Sequence, residues 1–425
     1  MTLITAARSL AATLTLAAIL AIPAFAPPAY AETALSGYHT YAAHDIWQNE
    51  LVSRFKALRP EIDITYRASA ASYEDGLLTI ARQSLTGQEP DFHLGGMQLL
   101  RAFAARKMIQ PFDDLLVGKD MAALGYSKEI LAEGQLDGHQ YALPWGVSTP
   151  VVFINTELVR KAGGDPAEVA KNWDNLIAVA GKISSLGPDM MGMYWETGTD
   201  DWMTQNLLLN NAAPLLSPDE RSVGFDTEKG LAALAMYQRF FKEGGQKPIE
   251  VQAARQTFFA GKMGFYMTTT AAIRSFRTES GNRFTLSTAA LPLMSTDATI
   301  SSAGMVAFIL TKDPAKRRAA LDYILFGTSA ESQAWVVRNT GYMPSNTGAL
   351  RADLLGDFYR DNPAFYTSVT QLPRARAWLG WPGENGVKIS GVVRDYMTAL
   401  SNGQSEPKAT LTGMARDINA LLPKK

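Results

Sequence analysis

The chain has 425 residues, 47% hydrophobic and 19% charged, with a formal net charge of −1 and no cysteine. That near-neutral balance, with no basic stripe and no zinc or RNA-binding motif, excludes a general polyanion binder and any expectation of a nucleic-acid partner. Single hydrophobic cores stop growing near about 250–300 residues, so two lobes are expected.

Residues 1–31 read as a separate object. Arg8 is their only charge, and Leu10–Ile22 is an apolar run. Ala29-Tyr30-Ala31 fits the small-x-small rule of a cleaved secretory signal. Ala24-Phe25-Ala26 is a second possible site, but it would leave Pro27 directly after the cut. Pro23, Pro27 and Pro28 interrupt the apolar run short of the ~20 residues that a membrane span needs. With no cysteine there is no residue to carry an N-terminal lipid. The expected product is exported to a periplasm, is not a lipoprotein, and is stable without disulfides because its core is large.

Gly37–Ala42 is a short strand pattern carrying Tyr38 and Tyr41. Asp45–Leu58 places Trp47, Leu51, Phe55 and Leu58 on one helical face, and Pro60 ends it. Ile62–Tyr66 alternates as a strand. Tyr73–Leu85 is amphipathic and closes at Gly87. Pro90–Leu94 is a strand running into Gly95-Gly96, and Met97–Ala105 is helical. This alternation predicts an α/β lobe with a mostly parallel sheet. Asp137-Gly138 is a tight turn. Tyr141–Trp145 is extended, and Pro144 cannot donate to a ladder, so the segment is an edge or a crossing between units. Val151–Ile154 is a buried strand. Thr156–Ala162 is a helix stopped by Gly163-Gly164.

A second α/β series follows. Asn172-Trp173-Asp174 caps a helix running through Ile183. Asp226–Gly244 and Ala253–Ala260 are helical, and Gly261–Met267 is a glycine-opened strand. Ser287–Leu293 is extended, Gly304–Leu310 is a buried strand, and Asp313–Phe326 is an Ala-rich helix. Val387–Leu400 and Lys408–Leu422 complete the chain as helices.

No phosphate-loop, dinucleotide, zinc-protease or nucleophile-elbow motif occurs. His39, His44, His93 and His139 lack metal-ligand spacing, so no metal and no cofactor are expected. Asp200-Asp201, Glu196 and Glu384 are carboxylates, but a glycosidase needs two at a set separation, which adjacency in sequence does not supply.

Together the residues resemble the extracellular solute-binding proteins (family 1, carbohydrate type) of bacterial ABC importers, over nearly the whole chain after residue 31. The resemblance rests on several stretches taken in order. The first two are Trp47-(x)7-Arg54-Phe55-Lys56-(x)3-Pro60 and Gly87-Gln88-Glu89-Pro90-Asp91. Its most specific signature is Asp137-Gly138-(x)2-Tyr141-Ala142-Leu143-Pro144 with Ile154-Asn155-Thr156-Glu157-Leu158. Asn172-Trp173-Asp174-Asn175-Leu176, Phe259-Ala260-Gly261-Lys262-Met263 and Gly341-Tyr342-Met343-Pro344 follow. The chain departs from the family at Ala303-Gly304, where Gly-Gly is usual, and at Asn172, where Thr is usual.

The resemblance implies a non-catalytic binding protein of two α/β lobes (a type II-like fold). The ligand lies between the lobes, which close on it, and is delivered to the transmembrane subunits of an ABC permease. The expected division is residues 32–142 with 298–340 in the first lobe and 143–297 with 341–425 in the second. A monomer is expected.

A sugar has apolar faces for aromatic rings and hydroxyls for carboxylates, amides and Arg. Loops at the carboxyl ends of strands are the expected positions. His44, Asp45 and Gln98 fall there in the first lobe, with Gly304 and Met305 at the return to it. Trp145 lies in the crossing. Trp195, Gly198 and Asp201 belong to a loop of the second lobe, and Thr268 and Thr269 follow its glycine-opened strand. Arg376 and Trp381 come from a late Arg-Trp cluster. Arg376 keeps neutral, acidic, phosphorylated and sulfonated sugars, and a glycerol phosphodiester, open as ligands. The alternatives are an exported carbohydrate-active hydrolase using Glu196, Asp201 or Glu384, and a ferric-ion or polyamine binder. Iron needs clustered Tyr at one loop, which is not seen. A polyamine needs several acids facing the cleft, which Arg374 and Arg376 oppose.

Overall fold

The computed structural model describes residues 32–424, so the expected signal segment lies outside the described residues. The first lobe is a five-stranded sheet in the order β2-β1-β3-β9-β4. Its strands are β1 (Thr33–His39), β2 (Ile62–Tyr66), β3 (Phe92–Gly96), β4 (Ala142–Ser148) and β9 (Ala303–Ile309). The second lobe is a four-stranded sheet in the order β8-β5-β7-β6. It is built from β5 (Pro150–Asn155), β6 (Met191–Trp195), β7 (Met263–Thr269) and β8 (Leu286–Ala290). The described residues contain no helix long and apolar enough to cross a membrane.

Each sheet has a single opposing strand. β9 runs against both its neighbours, and β5 does the same in the second sheet. Both have just crossed from the other lobe, so each enters its sheet from the opposite end.

Short polar caps set the helices that carry the loops. Ser72 Oγ accepts from Asp75 N at 3.1 Å at the start of the helix Tyr73–Ser84. Asn155 Oδ1 accepts from Leu158 N at 3.2 Å, and Asn172 Oδ1 from Asn175 N at 2.8 Å. Each satisfies a donor that the first helical turn leaves open.

The first crossing lies later than expected. Ala142–Ser148 pairs along β9 in the first sheet, so the chain leaves that lobe at Thr149 and not after Ala142. Pro144 explains the local geometry. It has no N–H to give, and the pairing jumps from Gly146 to Pro144 opposite Met305 and Val306. Trp145 is the extra residue of that bulge, and a bulge re-aims its side chain. The indole turns into the first-lobe core, fully buried. It donates to Gln48 Oε1 at 3.2 Å, packs 5.4 Å from the Tyr323 ring, and fits only because residue 327 is glycine.

Candidate functional site

Asp201 organises the second-lobe face. It precedes the helix Trp202–Asn210 and is fully buried. Trp381 Nε1 donates to Oδ2 at 2.6 Å, Trp378 Nε1 to Oδ1 at 3.1 Å, and Gln205 Nε2 to Oδ2 at 3.1 Å. Burial pushes this carboxyl up, and those donors pull it back. The segment 375–381 is thereby pinned to the loop that follows β6. Trp378 then lies 6.4 Å from Trp202 and 6.4 Å from Tyr73 of the first lobe. The second of these contacts spans the cleft.

The first-lobe face is aromatic. Tyr41 sits at φ 67, a strained value for a residue with a side chain. Its ring lies 5.2 Å from Tyr73 and 5.6 Å from His44. His44 lies 5.5 Å from Trp47 and 6.1 Å from Tyr342. Burial pushes the His44 imidazole down to about 4, so it is neutral at physiological pH. Its Nδ1 is 3.0 Å from the Thr40 carbonyl, which can only accept, so Nδ1 holds the proton and Nε2 is an acceptor.

Two carboxyls lie near these rings. Glu74 follows Tyr73 in the first turn of its helix, with Gln98 Nε2 3.5 Å from its Oε1. Asp200 belongs to the second lobe and accepts from Trp202 N at 2.9 Å. Burial, and then the charge of Asp201, pushes Asp200 up to about 7. Burial also pushes the hydroxyls of Tyr41 and Tyr73 up, with the charges of Asp200 and Glu74 adding to it. The two acids and two tyrosines therefore share one electrostatic environment.

Of the residues expected from sequence, His44, Gln98, Asp201 and Trp381 come together here. Asp45 adjoins them, 3.3 Å from His39 Nε2. Others do not join them. Trp145 is in the first-lobe core, for the reason given above. Trp195 is fully buried against Trp173 and Phe240, because it ends a strand whose side chains pack under a helix. Thr268 is buried where β7 pairs with Val151. Thr269 donates to Ser148 Oγ at 2.7 Å, tying the two lobes at the crossing. Gly304, at φ 140, lets β9 approach the Gly146 carbonyl where a Cβ would come within 1.9 Å. Met305 is fully buried beside it. Gly198 is exposed in the loop before Asp200. Arg376 is exposed, and its Nη1 donates only to the neighbouring Ala375 carbonyl at 2.8 Å.

Tyr41, Tyr73, Glu74 and Tyr342 were not singled out from sequence as site residues, whereas Asp200 was named as a carboxylate beside Asp201 and Trp378 belongs to the late Arg-Trp cluster. Tyr73 and Glu74 lie beyond the carboxyl end of β2, so the strand-end rule applied to every strand would have reached them. A cavity of about 580 Å³ near Ser36, Arg67, Asp91 and Lys316 lies at the opposite end of the first sheet. Two of its bases are already engaged, Arg67 with the Gln88 and Glu89 carbonyls and Lys316 with Asp91. Among the described residues no group of three His, Asp or Glu could hold a metal ion.

The family model for bacterial extracellular solute-binding proteins matches residues 50–367. A binding protein of Brucella abortus (strain 2308) is 24% identical over 383 residues, covering 88% of this chain and 89% of that one. The sn-glycerol-3-phosphate-binding periplasmic protein UgpB of Escherichia coli (strain K12) is 22% identical, covering 88% of this chain and 89% of that protein. Among solved structures, UgpB of Mycobacterium tuberculosis in complex with glycerophosphocholine superposes with a TM-score of 0.80 at 19% identity, covering 92% of this chain and 98% of that one. The substrate-binding protein Lmo0181 of Listeria monocytogenes in complex with cycloalternan gives a TM-score of 0.80 at 17% identity, covering 92% and 99%. These structures share the two-lobed fold. The match spans both lobes, and the chain belongs to the bacterial extracellular solute-binding proteins.

Proposed function

We propose that the cleft between the lobes captures a sugar or sugar derivative and that the protein, a periplasmic monomer, hands it to the transmembrane subunits of an ABC permease. The observation that carries this is the band of Tyr41, Tyr73 and Trp378 rings across the cleft, flanked by Glu74 and Asp200. Rings cover the C–H faces of a sugar, and carboxylates and amides accept from its hydroxyls. A ligand that touches both faces stabilises the closed state by its differential affinity.

The carboxylates of the hydrolase alternative favour binding over catalysis. Asp201 has both oxygens filled by indoles and Gln205. Glu196 is held by Arg255 and by the Tyr266 hydroxyl at 2.6 Å. Glu384 is exposed. A glycerol phosphodiester is the second reading, favoured by the glycerophosphocholine bound to the Mycobacterium tuberculosis protein.

The test is a thermal-shift screen of neutral, acidic, phosphorylated and sulfonated sugars and glycerol phosphodiesters, followed by small-angle scattering on each hit. A hit should raise the Tm and shrink the radius of gyration. Turnover of a glycan, abolished by Asp201→Asn, would instead make the protein an enzyme.

A further inference from the structure

The cleft presents acceptors that no group of the protein fills. Gln98 is 6% exposed, and its amide NH₂ faces Glu74, which leaves its Oε1 buried without a partner. His44 presents an acceptor nitrogen, as argued above. Glu74 has one long contact from Gln98, and Asp200 has one from the Trp202 backbone.

The charged groups acting on Asp200 are Asp201, Glu74 and Glu196, all carboxyls. The base beside them is Arg394, which acts on Glu74 and gives its Nη1 to the Thr199 carbonyl at 3.4 Å. Arg374 and Arg376, on which the case against a cationic ligand rested, are both exposed, and Arg376 gives its Nη1 to the Ala375 carbonyl. A phosphate or carboxylate between Glu74 and Asp200 would sit against two carboxyls.

An ammonium group has the opposite properties. It offers three donors and no acceptor, it offsets buried carboxylates, and it is attracted to the faces of aromatic rings. The Tyr41 and Tyr73 hydroxyls, kept protonated by burial, add donors for a ligand oxygen, so the fit is to an amine that also carries hydroxyls. Resting on the cleft as the ligand site, we infer that it takes an amino sugar or amino-polyol whose ammonium sits between Glu74 and Asp200 against the Tyr41 and Tyr73 rings.

The experiment is calorimetry and scattering on the full-length purified protein with matched pairs: glucosamine against glucose and N-acetylglucosamine, galactosamine against galactose, and aminodeoxysorbitol against sorbitol. Glucose 6-phosphate and sn-glycerol 3-phosphate complete the panel. An amine should bind about 10-fold or more tighter than its hydroxyl or acetylated counterpart, the scale of a charge-assisted hydrogen bond. Asp200→Asn and Glu74→Gln, each checked for folding by circular dichroism, should each erase most of that preference, so that the amine and its neutral partner bind each variant within about 3-fold of one another.

A neutral or phosphorylated compound that compacts the protein, with no advantage for the amine, overturns the inference and leaves the cleft reading standing. So does an amine preference that survives in both variants. A panel in which nothing binds overturns it as well. Tight binding with an unchanged radius of gyration contradicts the cleft reading itself.

Discussion

Arg101 of the first lobe donates from Nη2 to Glu220 Oε1 of the second lobe at 2.8 Å. The pair bridges the lobes away from the aromatic band. Glu220 sits at φ 56 in the turn between Ser217 and Ser222, a conformation that costs a non-glycine residue energy. The Arg101 hydrogen bond holds its carboxyl below the usual range. Both side chains are partly exposed, so the pair contributes little to folding, and as a bond between lobes that close on a ligand it is expected to act as a weak latch.

Glu220→Gln should therefore leave the Tm nearly unchanged and weaken ligand affinity about 2- to 5-fold, the range of an exposed pair. The loss should appear in the dissociation rate measured by stopped-flow, and added salt should weaken the native protein toward the variant. An unchanged dissociation rate removes the latch.

Asp201→Asn places an amide where two indole N–H groups converge. Asn has one acceptor oxygen for the two, so one indole loses its partner or meets an NH₂ group. Stability should fall by about 1–3 kcal/mol, the cost of a buried unsatisfied donor. Urea unfolding measures this. Ligand affinity should fall too, because Trp378 loses its anchor beside Tyr73.

Trp145 and Gly327 test the opposite assignment. A Cβ at residue 327 would come within 2.0 Å of the Trp145 ring. Gly327→Ala should cost about 1–3 kcal/mol by overpacking. Trp145→Phe should lower stability while calorimetric affinity stays unchanged. A large affinity loss at an unchanged Tm would put the indole back in the cleft.

Buried carboxyls give stability a definite pH dependence. Burial pushes Asp200 and Glu133 up to about 7, while the unfolded carboxyls titrate near ~4. A raised carboxyl binds its proton more tightly when folded, so its contribution is full below pH ~4 and is lost as pH rises toward 7. Glu133 is buried, accepts from Ser302 Oγ at 2.7 Å, and has Oε2 without a partner. Glu133→Gln should match the native protein near pH 5 and exceed it near pH 8. Urea midpoints across that range check this. His44 acts in the other sense: its pKa, lowered to about 4, costs stability as pH falls below ~6.5.

Much of the fold is legible in local pattern. The helix Asp45–Leu58 begins and ends where its apolar spacing and Pro60 place it, and its inward face is Trp47, Leu51 and Phe55. Strand β7 starts at Met263, two residues after Gly261, because Gly261 at φ 74 closes the preceding turn. The site is less legible, because its contacts are distant in sequence. The indoles that hold Asp201 come from 177 and 180 positions further along, and no local signal joins them. Trp145 is misplaced by sequence because the bulge at Pro144 reverses its facing, and strand alternation cannot show a bulge. Arg376 carries the right chemistry for an anion, yet it lies on a short exposed strand paired with Ser301.

The most direct test is electron density from crystals grown with the compound that gives the largest thermal shift. Density bounded by the Tyr41 and Tyr73 rings on one side and by Asp200 and Trp378 on the other is the expected result. Density elsewhere, or lobes unchanged around an empty space between those residues, would contradict it.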